Sequence, residues 1–323
     1  MTKIIAEFCQ NHNGDFEILK KMIEKAASAG ASYGKMQTIF TNNLSFRPQF
    51  EAGLIINDKV YSIKRPYKNE YDRLKKLEIN QKQMAYFVDI CKEHDLIPLT
   101  TCFARSNAKM IKDVGFKEIK VASYDCSSFT MIRELKELFE NLIISTGATF
   151  DSEIELTSKI LENYNYSLLH CVTIYPTPME RLNLARMNFL RKFSKTVGFS
   201  DHSLVSRDKL IASKIAIMLG ADVIERHFTI LPEDETRDGP VSINPHQLKE
   251  LSDFSKMSKD DQKEVVEIEF PKWKKTIGIE KRDLSDEEML NRDYYKGRFA
   301  SPRKQSNNGS IMIYNWEEIS IDE

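Results

Sequence analysis

The stretch TVGFSDHSLVSRDKLIASKIAIMLGADVIERHF, residues 196–228, contains one complete unit of the pattern that decides the fold. It opens with a short run of apolar and β-branched residues, Thr196–Ser200, and closes with a second run, Asp222–Phe228. Between these runs, Val205–Gly220 repeats apolar residues at helical spacing, which predicts a helix. The order strand, helix, strand is typical of two parallel strands, because parallel neighbours need a crossover connection.

The same alternation of strand and helix runs through most of the chain. Short apolar runs are separated by amphipathic segments, some of which begin at a capping residue such as Asp15 or Asn80. The eight runs are Lys3–Glu7, Tyr33–Thr38, Ile97–Thr101, Glu118–Ser123, Leu142–Thr146, Ser167–Thr173, Thr196–Ser200 and Asp222–Phe228. Eight such units over roughly 250 residues predict an α/β protein with a closed (β/α)8 TIM barrel, and a doubly wound open sheet is the alternative.

Two segments depart from this repeat. The connection Ile39–Glu78 is far longer than the ~2–6 residues usual between a strand and a helix, and its many Phe and Tyr residues suggest a lid over the barrel rim. Beyond about residue 257 the barrel pattern has ended, and the polar run Ser258–Glu264 suggests a linker. We therefore predict a barrel domain over residues 1–256 and a short C-terminal extension over residues 257–323.

Composition and charge exclude several classes of protein. The 323 residues include 47 Lys and Arg against 48 Asp and Glu, so there is no global charge to hold nucleic acid or an anionic membrane. No apolar run approaches the ~18 residues of a membrane span, and the first one stops at Glu7, too early for a signal peptide. We expect a cytoplasmic protein that binds neither nucleic acid nor membranes, with its five scattered cysteines reduced.

Two histidines stand at the ends of the last two predicted strands. In a barrel the C-terminal strand ends meet at one rim, so His202 and His227 would be close enough to hold one ion. Asp201 and Glu225 stand beside them as orienting groups or further ligands. Two imidazoles with oxygen donors suit Mn²⁺, Mg²⁺ or Fe²⁺ better than a structural zinc. The alternative is that each histidine is a buried polar residue with a structural role.

Two lysines lie within predicted strands, where a lysine is costly unless it is paired. Lys35 and Lys120 would place two cations over the same rim. Neutral donors accompany them at other strand ends, namely Thr101, Ser123, Ser145 and Ser200. This set favours a small dianion such as a phosphate or a carboxylate. Glu7 and Asp125 are candidate general acid and base groups, with ion pairing to the lysines as the alternative.

Several ordered motifs together resemble the sialic acid synthase family. They are Ala6–Gly14 (AEFCQNHNG), Lys35–Thr38 (KMQT), Lys120–Ser123 (KVAS), Ser145–Gly147 (STG), Leu168–Cys171 (LLHC), Tyr175–Pro178 (YPTP), Gly198–His202 (GFSDH) and Ile224–Phe228 (IERHF). The resemblance covers about residues 3 to 250. It implies an enzyme that condenses phosphoenolpyruvate with an open-chain N-acylated hexosamine, forms a nonulosonic acid for a bacterial surface glycan and releases phosphate.

The resemblance also implies roles for individual residues. A divalent metal, Mn²⁺ or Mg²⁺, would be bound by His202 and His227 and would polarise the sugar aldehyde. Phosphoenolpyruvate would be held by Lys35, Thr101, Lys120, Ser123, Ser145 and Ser200. The sugar would contact Gln37, Thr173, Tyr175 and Asp238. Glu7, Asp125 and Lys120 would be the catalytic groups, and the protein would be a homodimer.

The chain differs from the family at three places. Tyr124 stands where the family commonly has glycine, and Thr173 stands where it usually has asparagine. The C-terminal extension is too short for the antifreeze-like domain that lends an arginine to the partner subunit's site. These differences leave two alternatives open, an acceptor sugar without an N-acyl group and a weakened barrel that serves as a binding subunit. We expect the site to be closed from within the chain, by the Ile39–Glu78 loop or by the extension.

Overall fold

The computed structural model describes residues 1–304 and 310–321. The strands are β1 Lys3–Cys9, β2 Tyr33–Thr38, β3 Leu54–Ile56, β4 Lys59–Ser62, β5 Ile97–Cys102, β6 Glu118–Val121, β7 Asn141–Ser145, β8 Tyr166–Cys171, β9 Thr196–Asp201, β10 Val223–His227, β11 Ala300–Lys304 and β12 Ser310–Tyr314. Eight of them form a closed parallel barrel in the order β1-β10-β9-β8-β7-β6-β5-β2. The predicted TIM barrel is therefore confirmed, with every predicted run forming a barrel strand.

Helices alternate with the barrel strands. The α-helices are α1 Phe16–Ser28, α2 Gln49–Ala52, α3 Tyr67–Lys75, α4 Gln81–Glu93, α5 Ala108–Asp113, α6 Phe129–Leu138, α7 Asp151–Ile160, α8 Arg186–Leu190, α9 Val205–Asp208, α10 Ile211–Met218, α11 Pro245–Lys256, α12 Lys259–Glu269 and α13 Asp286–Tyr295. Asp15 caps α1 through its carboxylate, and Asn80 forms a capping box with Gln83 at the start of α4. Among the described residues, no helix is both long and apolar enough to cross a membrane.

The predicted helix over residues 205–220 is interrupted. It forms two helices, α9 and α10, because Lys209 adopts a left-handed backbone with φ +50° that cannot continue a helix. The sequence around Lys209 contains neither glycine nor proline, the residues that usually signal such a break.

Alternation along the barrel strands separates an apolar layer from a polar one. Side chains that point into the lower part of the barrel form a buried apolar cluster, Ile5, Tyr33, Leu99, Ile143, Leu169 and Val223. Two residues further along each strand, on the same inward face, stand Glu7, Lys35, Thr101, Ser145, Cys171 and Glu225. The apolar layer fills the lower barrel, and the polar layer lies at its C-terminal end.

The long loop between β2 and α4 has structure of its own. It contains a 3-10 turn at Thr41–Asn43, α2, an antiparallel hairpin of β3 and β4, and α3. Glu78 accepts hydrogen bonds from the backbone and hydroxyl of Thr41, so the two ends of the loop are tied together. Tyr67 and Tyr71 pack with Leu74 and Phe299 in a small apolar cluster, which joins the loop to the C-terminal extension.

The C-terminal extension lies across the barrel rim. The polar run Ser258–Glu264, for which the sequence suggested a linker, instead caps and begins α12, which packs on α10 through buried Val266. After α13, a hairpin of β11 and β12 follows. Hydrogen bonds from Asn291 to the Thr173 carbonyl, from Lys296 to Ser127 and from Asn315 to the Phe103 carbonyl attach the extension to the rim loops after β8, β6 and β5.

Candidate active site

The polar layer opens into a cavity of about 500 Å³ at the C-terminal rim. Most of the predicted site residues line it, namely Glu7, Lys35, Gln37, Thr101, Lys120, Ser123, Asp125, Ser145, Tyr175, Ser200, His202, His227 and Asp238. Thr173 does not line this cavity. It is fully buried behind the wall, where its backbone carbonyl accepts the hydrogen bond from Asn291. Residues as far apart in sequence as Glu7 and Asp238 are thus brought together by closure of the barrel.

Glu225 lies between the two predicted lysines. Its carboxylate is 3.7 Å from Lys35 Nζ and 3.7 Å from Lys120 Nζ, and it accepts a hydrogen bond of 2.8 Å from the Ser200 hydroxyl. Burial raises the pKa of Glu225, but the charges of Lys120 and Lys35 outweigh burial and bring the pKa down to about 2. Glu225 is therefore a carboxylate at neutral pH, and it partly neutralises two buried cations.

The lysines have further partners in the same layer. Lys35 Nζ contacts the Glu7 carboxylate, whose other oxygen accepts a hydrogen bond of 2.7 Å from the Cys9 backbone. Lys120 Nζ donates to the Ser145 hydroxyl at 2.6 Å. The pairing of Glu7 with Lys35 is the alternative that the sequence left open for Glu7. Both lysines still line the cavity, so an anionic ligand can reach them.

His202 and His227 lie side by side, with ring centroids 5.5 Å apart. Nε2 of His202 is 3.0 Å from the Tyr175 hydroxyl. Burial and the charge of His227 lower the pKa of His202 to about 3, and burial lowers the pKa of His227. Both rings are neutral at pH 7, the form in which imidazole binds metals. Nδ1 of His227 is buried and has no hydrogen-bond partner among the described residues, which fits a metal ligand.

A buried ion pair on the outer face of the barrel positions the two histidines. Arg226 Nη1 is 2.6 Å from Asp201 Oδ1, and both side chains are completely buried. Arg226 also donates to the carbonyl and hydroxyl of Ser203. Because neighbouring residues of a strand point to opposite faces, holding Arg226 and Asp201 outward directs His227 and His202 inward. The sequence suggested Asp201 as an orienting group, and the structure gives it Arg226 as partner.

Asp125 sits in a 3-10 turn after β6. It accepts hydrogen bonds from Ser128 at 2.8 Å and from Asn315 of the extension at 3.0 Å. Burial raises the pKa of Asp125, although these two donors partly offset the rise. Tyr124 beside it stacks on Tyr295 of α13, with ring centroids 4.8 Å apart. The extension is therefore packed directly on the turn that carries Asp125.

The upper wall of the cavity comes from segments distant in sequence. Glu70 of α3 pairs with Arg73 at 2.8 Å and contacts Arg298 of the extension. Burial raises the pKa of Glu70, but the hydrogen bond from Arg73 and the charge of Arg298 bring it down to about 2. Arg65 and Arg237 line the same wall. Sequence reasoning offered the loop and the extension as alternatives for closing the site, and the structure brings both to the rim.

Cys9 is a cavity residue that the sequence analysis did not single out. Its thiol is 2.9 Å from Asp238 Oδ2, and Gln37 Nε2 is 3.1 Å from its sulfur. Burial and the neighbouring Asp238 carboxylate raise the pKa of the Cys9 thiol. The available signal was its position two residues after Glu7 in the first motif.

The chain is similar in sequence to one family of proteins. A model of the NeuB family matches residues 22–265. An N,N'-diacetyllegionaminic acid synthase of Campylobacter jejuni is 30% identical over 97% of this chain and 93% of its own length. A pseudaminic acid synthase of the same species is 26% identical over 92% of this chain and 81% of its own.

Two solved structures superpose on this chain over most of its length. An N-acetylneuraminic acid synthetase from Leptospira borgpetersenii, solved with citrate, superposes with a TM-score of 0.67 at 25% identity, covering 91% of this chain and 90% of that one. The spore coat polysaccharide biosynthesis protein SpsE of Bacillus subtilis superposes with a TM-score of 0.71 at 24% identity, covering 97% of this chain and 84% of that one. The second likeness is one of fold.

Proposed function

This chain belongs to the NeuB family and is a transferase of the sialic acid synthase type; we propose that it condenses phosphoenolpyruvate with an open-chain N-acylated hexosamine. The product is a nonulosonic acid, and phosphate is released. The observation that carries the proposal is the pair of buried lysines on either side of Glu225, next to two neutral histidines. We further propose that the product enters a bacterial surface glycan and that the enzyme is a cytoplasmic homodimer.

The lysine pair supports binding of phosphoenolpyruvate. Lys35 and Lys120 provide two charge-assisted donors, and neutral donors line the same cavity. These neutral donors are Thr101, Ser123, Ser145 and Ser200. When the anionic substrate binds, the lysines exchange part of their interaction with Glu225 for the substrate oxygens. Glu225 then keeps both ammonium groups in place beside the substrate.

The donor set at the histidines fits a divalent metal, and His202 and His227 would hold it. Such an ion supplies a Lewis acid for the aldehyde oxygen of the acceptor. Nδ1 of His227 has no hydrogen-bond partner in the described part of the chain, which supports this assignment because a buried polar atom without a partner is costly. Tyr175, which contacts His202, and Asp238, which faces His227 at 4.0 Å, lie where the acceptor would meet the ion.

The protein groups then orient the carbon–carbon bond formation. C3 of phosphoenolpyruvate bonds to the aldehyde carbon, water adds at C2, and the bond between C2 and the phosphate oxygen breaks. The product carries a keto group at C2. Glu7 and Asp125 face the cavity from opposite sides and are the candidate proton carriers; the raised pKa of Asp125 suits the acid. Helices α3 and α13 line the upper cavity and would exclude bulk water from it.

Phosphate release from phosphoenolpyruvate tests the proposal. The protein is incubated with phosphoenolpyruvate, Mn²⁺ or Mg²⁺ and a panel of N-acylated hexosamines and parent hexoses, and products are identified by mass spectrometry. We expect phosphate and a new keto acid with at least one N-acylated hexosamine. Turnover with hexoses alone would favour the non-acylated acceptor, and no turnover with any sugar would favour a binding subunit. Lys35→Met serves as the inactive control.

A further inference from the structure

Cys9 has a backbone conformation that needs an explanation. Its φ is +49°, in the left-handed region that residues other than glycine rarely adopt. The register between β1 and β2 also shifts at a bulge between Glu7 and Cys9. Strained residues of this kind collect at functional sites, where the surrounding structure holds them. The effect of the bulge here is to bring the Cys9 thiol to the cavity wall.

Three donor atoms of different chemistry converge beside this bulge. Cys9 Sγ, a ring nitrogen of His227 and an Asp238 carboxylate oxygen all lie within 4.8 Å of one another, and His227 Nδ1 is 4.0 Å from Asp238 Oδ2. Cys9 and His227 are buried, and Asp238 is partly buried. Sulfur, imidazole nitrogen and carboxylate oxygen are the three ligand types that zinc accepts in proteins.

A purely structural role explains only part of this arrangement. The contact between the Cys9 thiol and Asp238 accounts for the thiol. It does not account for His227 Nδ1, which is buried and has no hydrogen-bond partner among the described residues. Nor does it explain why a β-carbon is tolerated at a left-handed position, where glycine would be free of strain. An ion between the three donors satisfies the nitrogen and gives the sulfur a function.

We propose that Cys9, as a thiolate, and Asp238 bind the divalent ion together with the two histidines, His202 and His227. The thiol proton is released to solvent when the ion binds. Because thiolate is a soft ligand, the site then prefers Zn²⁺, Co²⁺ or Fe²⁺ to Mn²⁺ or Mg²⁺, which favour oxygen. The inference rests on the proposed function in one respect, namely that the ion is the divalent metal proposed there for His202 and His227.

Cobalt binding in the absence of substrates tests the ligand directly. The protein is freed of metal with a chelator and titrated with Co²⁺ without oxygen, and the near-ultraviolet band of thiolate-to-cobalt charge transfer is recorded. We expect the band in the unmodified protein and in Cys171→Ser, which alters another cavity thiol. The band should be lost in Cys9→Ser and in Cys9→Gly, of which the glycine variant suits the positive φ and keeps the fold.

Metal affinities give a second readout. In chelator competition, Cys9→Gly should lower the affinity for Zn²⁺ at least about tenfold and the affinity for Mn²⁺ much less. Replacing a residue that only hydrogen-bonds to a metal ligand already costs about tenfold in affinity, so loss of a ligand itself should cost no less. A band that survives in Cys9→Gly, or one lost in Cys171→Ser, would overturn the proposal. These measurements need no turnover, so they stand apart from the phosphate-release test of the proposed function.

Discussion

Replacing Glu225 with Gln isolates the charge that holds the lysine pair. Glutamine keeps an oxygen that can accept the Ser200 hydrogen bond and has nearly the same volume. At 3.7 Å and an effective dielectric constant of about 20, each lysine interacts with the carboxylate by about 4 kcal/mol before desolvation is counted. Removing one partner from a buried ion pair costs about 3–5 kcal/mol of stability. For a chain of 323 residues this loss corresponds to a fall in Tm of roughly 4–7 °C, which we expect for Glu225→Gln.

Thermal unfolding with and without phosphoenolpyruvate, in chelator, provides the assay. The ligand should raise Tm more in Glu225→Gln than in the unmodified protein, because its negative charge replaces the missing carboxylate between the lysines. Glu140→Gln is the matched control, since Glu140 pairs with Lys117 on the surface at 3.9 Å and should contribute at most about 1 kcal/mol. An unchanged Tm together with an unchanged ligand shift would refute the role assigned to Glu225.

Three further perturbations address the rest of the site. His202→Ala should abolish turnover while circular dichroism shows a folded barrel, because an open site that loses a protein ligand loses its ion; metal-dependent turnover in this variant would contradict the assignment. Lys120→Met should weaken phosphoenolpyruvate binding by about 2–4 kcal/mol in calorimetry, and unchanged affinity would make this lysine structural. Glu70 has a folded pKa of about 2, below its ordinary value of 4.5, so its stabilisation is present above pH 4.5 and is lost as the pH falls towards 2. Glu70→Gln should therefore speed proteolysis of the extension at pH 7 by loosening Arg298, whereas Asp72→Asn should not, and equal cleavage of both variants would argue against this contact.

The polar layer could be predicted from sequence because it follows from two simple rules. Strands alternate their faces, and parallel strands in a barrel end on one rim. A polar residue two positions after a buried apolar one, as with Ile5 and Glu7 or Tyr33 and Lys35, therefore points into the site. The same rules give the neighbouring positions of the two histidines.

Other features depended on information that no local pattern carries. The direction of the Cys9 side chain is set by a bulge and a left-handed φ, and nothing in its neighbours signals either. The contact between Glu70 and Arg298 joins two segments outside the repeating pattern, so no periodicity relates them. The sequence indicated Glu225 only as an orienting group or further ligand of the metal. Its place between the two lysines could not be predicted, because these distances are fixed only when the barrel closes.

The barrel closes by pairing its first strand with its last, so closure must wait until synthesis has reached the last strand. Strand β1 is made first, yet it pairs with β10, which leaves the ribosome after all the other barrel strands. Until then the growing sheet has two open edges whose N–H and C=O groups can pair with other chains. The part of the upper wall that the extension supplies comes later still, because Arg298 follows β10 in the sequence. A nascent chain therefore contains both lysines before Arg298 is available to pair with Glu70 and complete the wall.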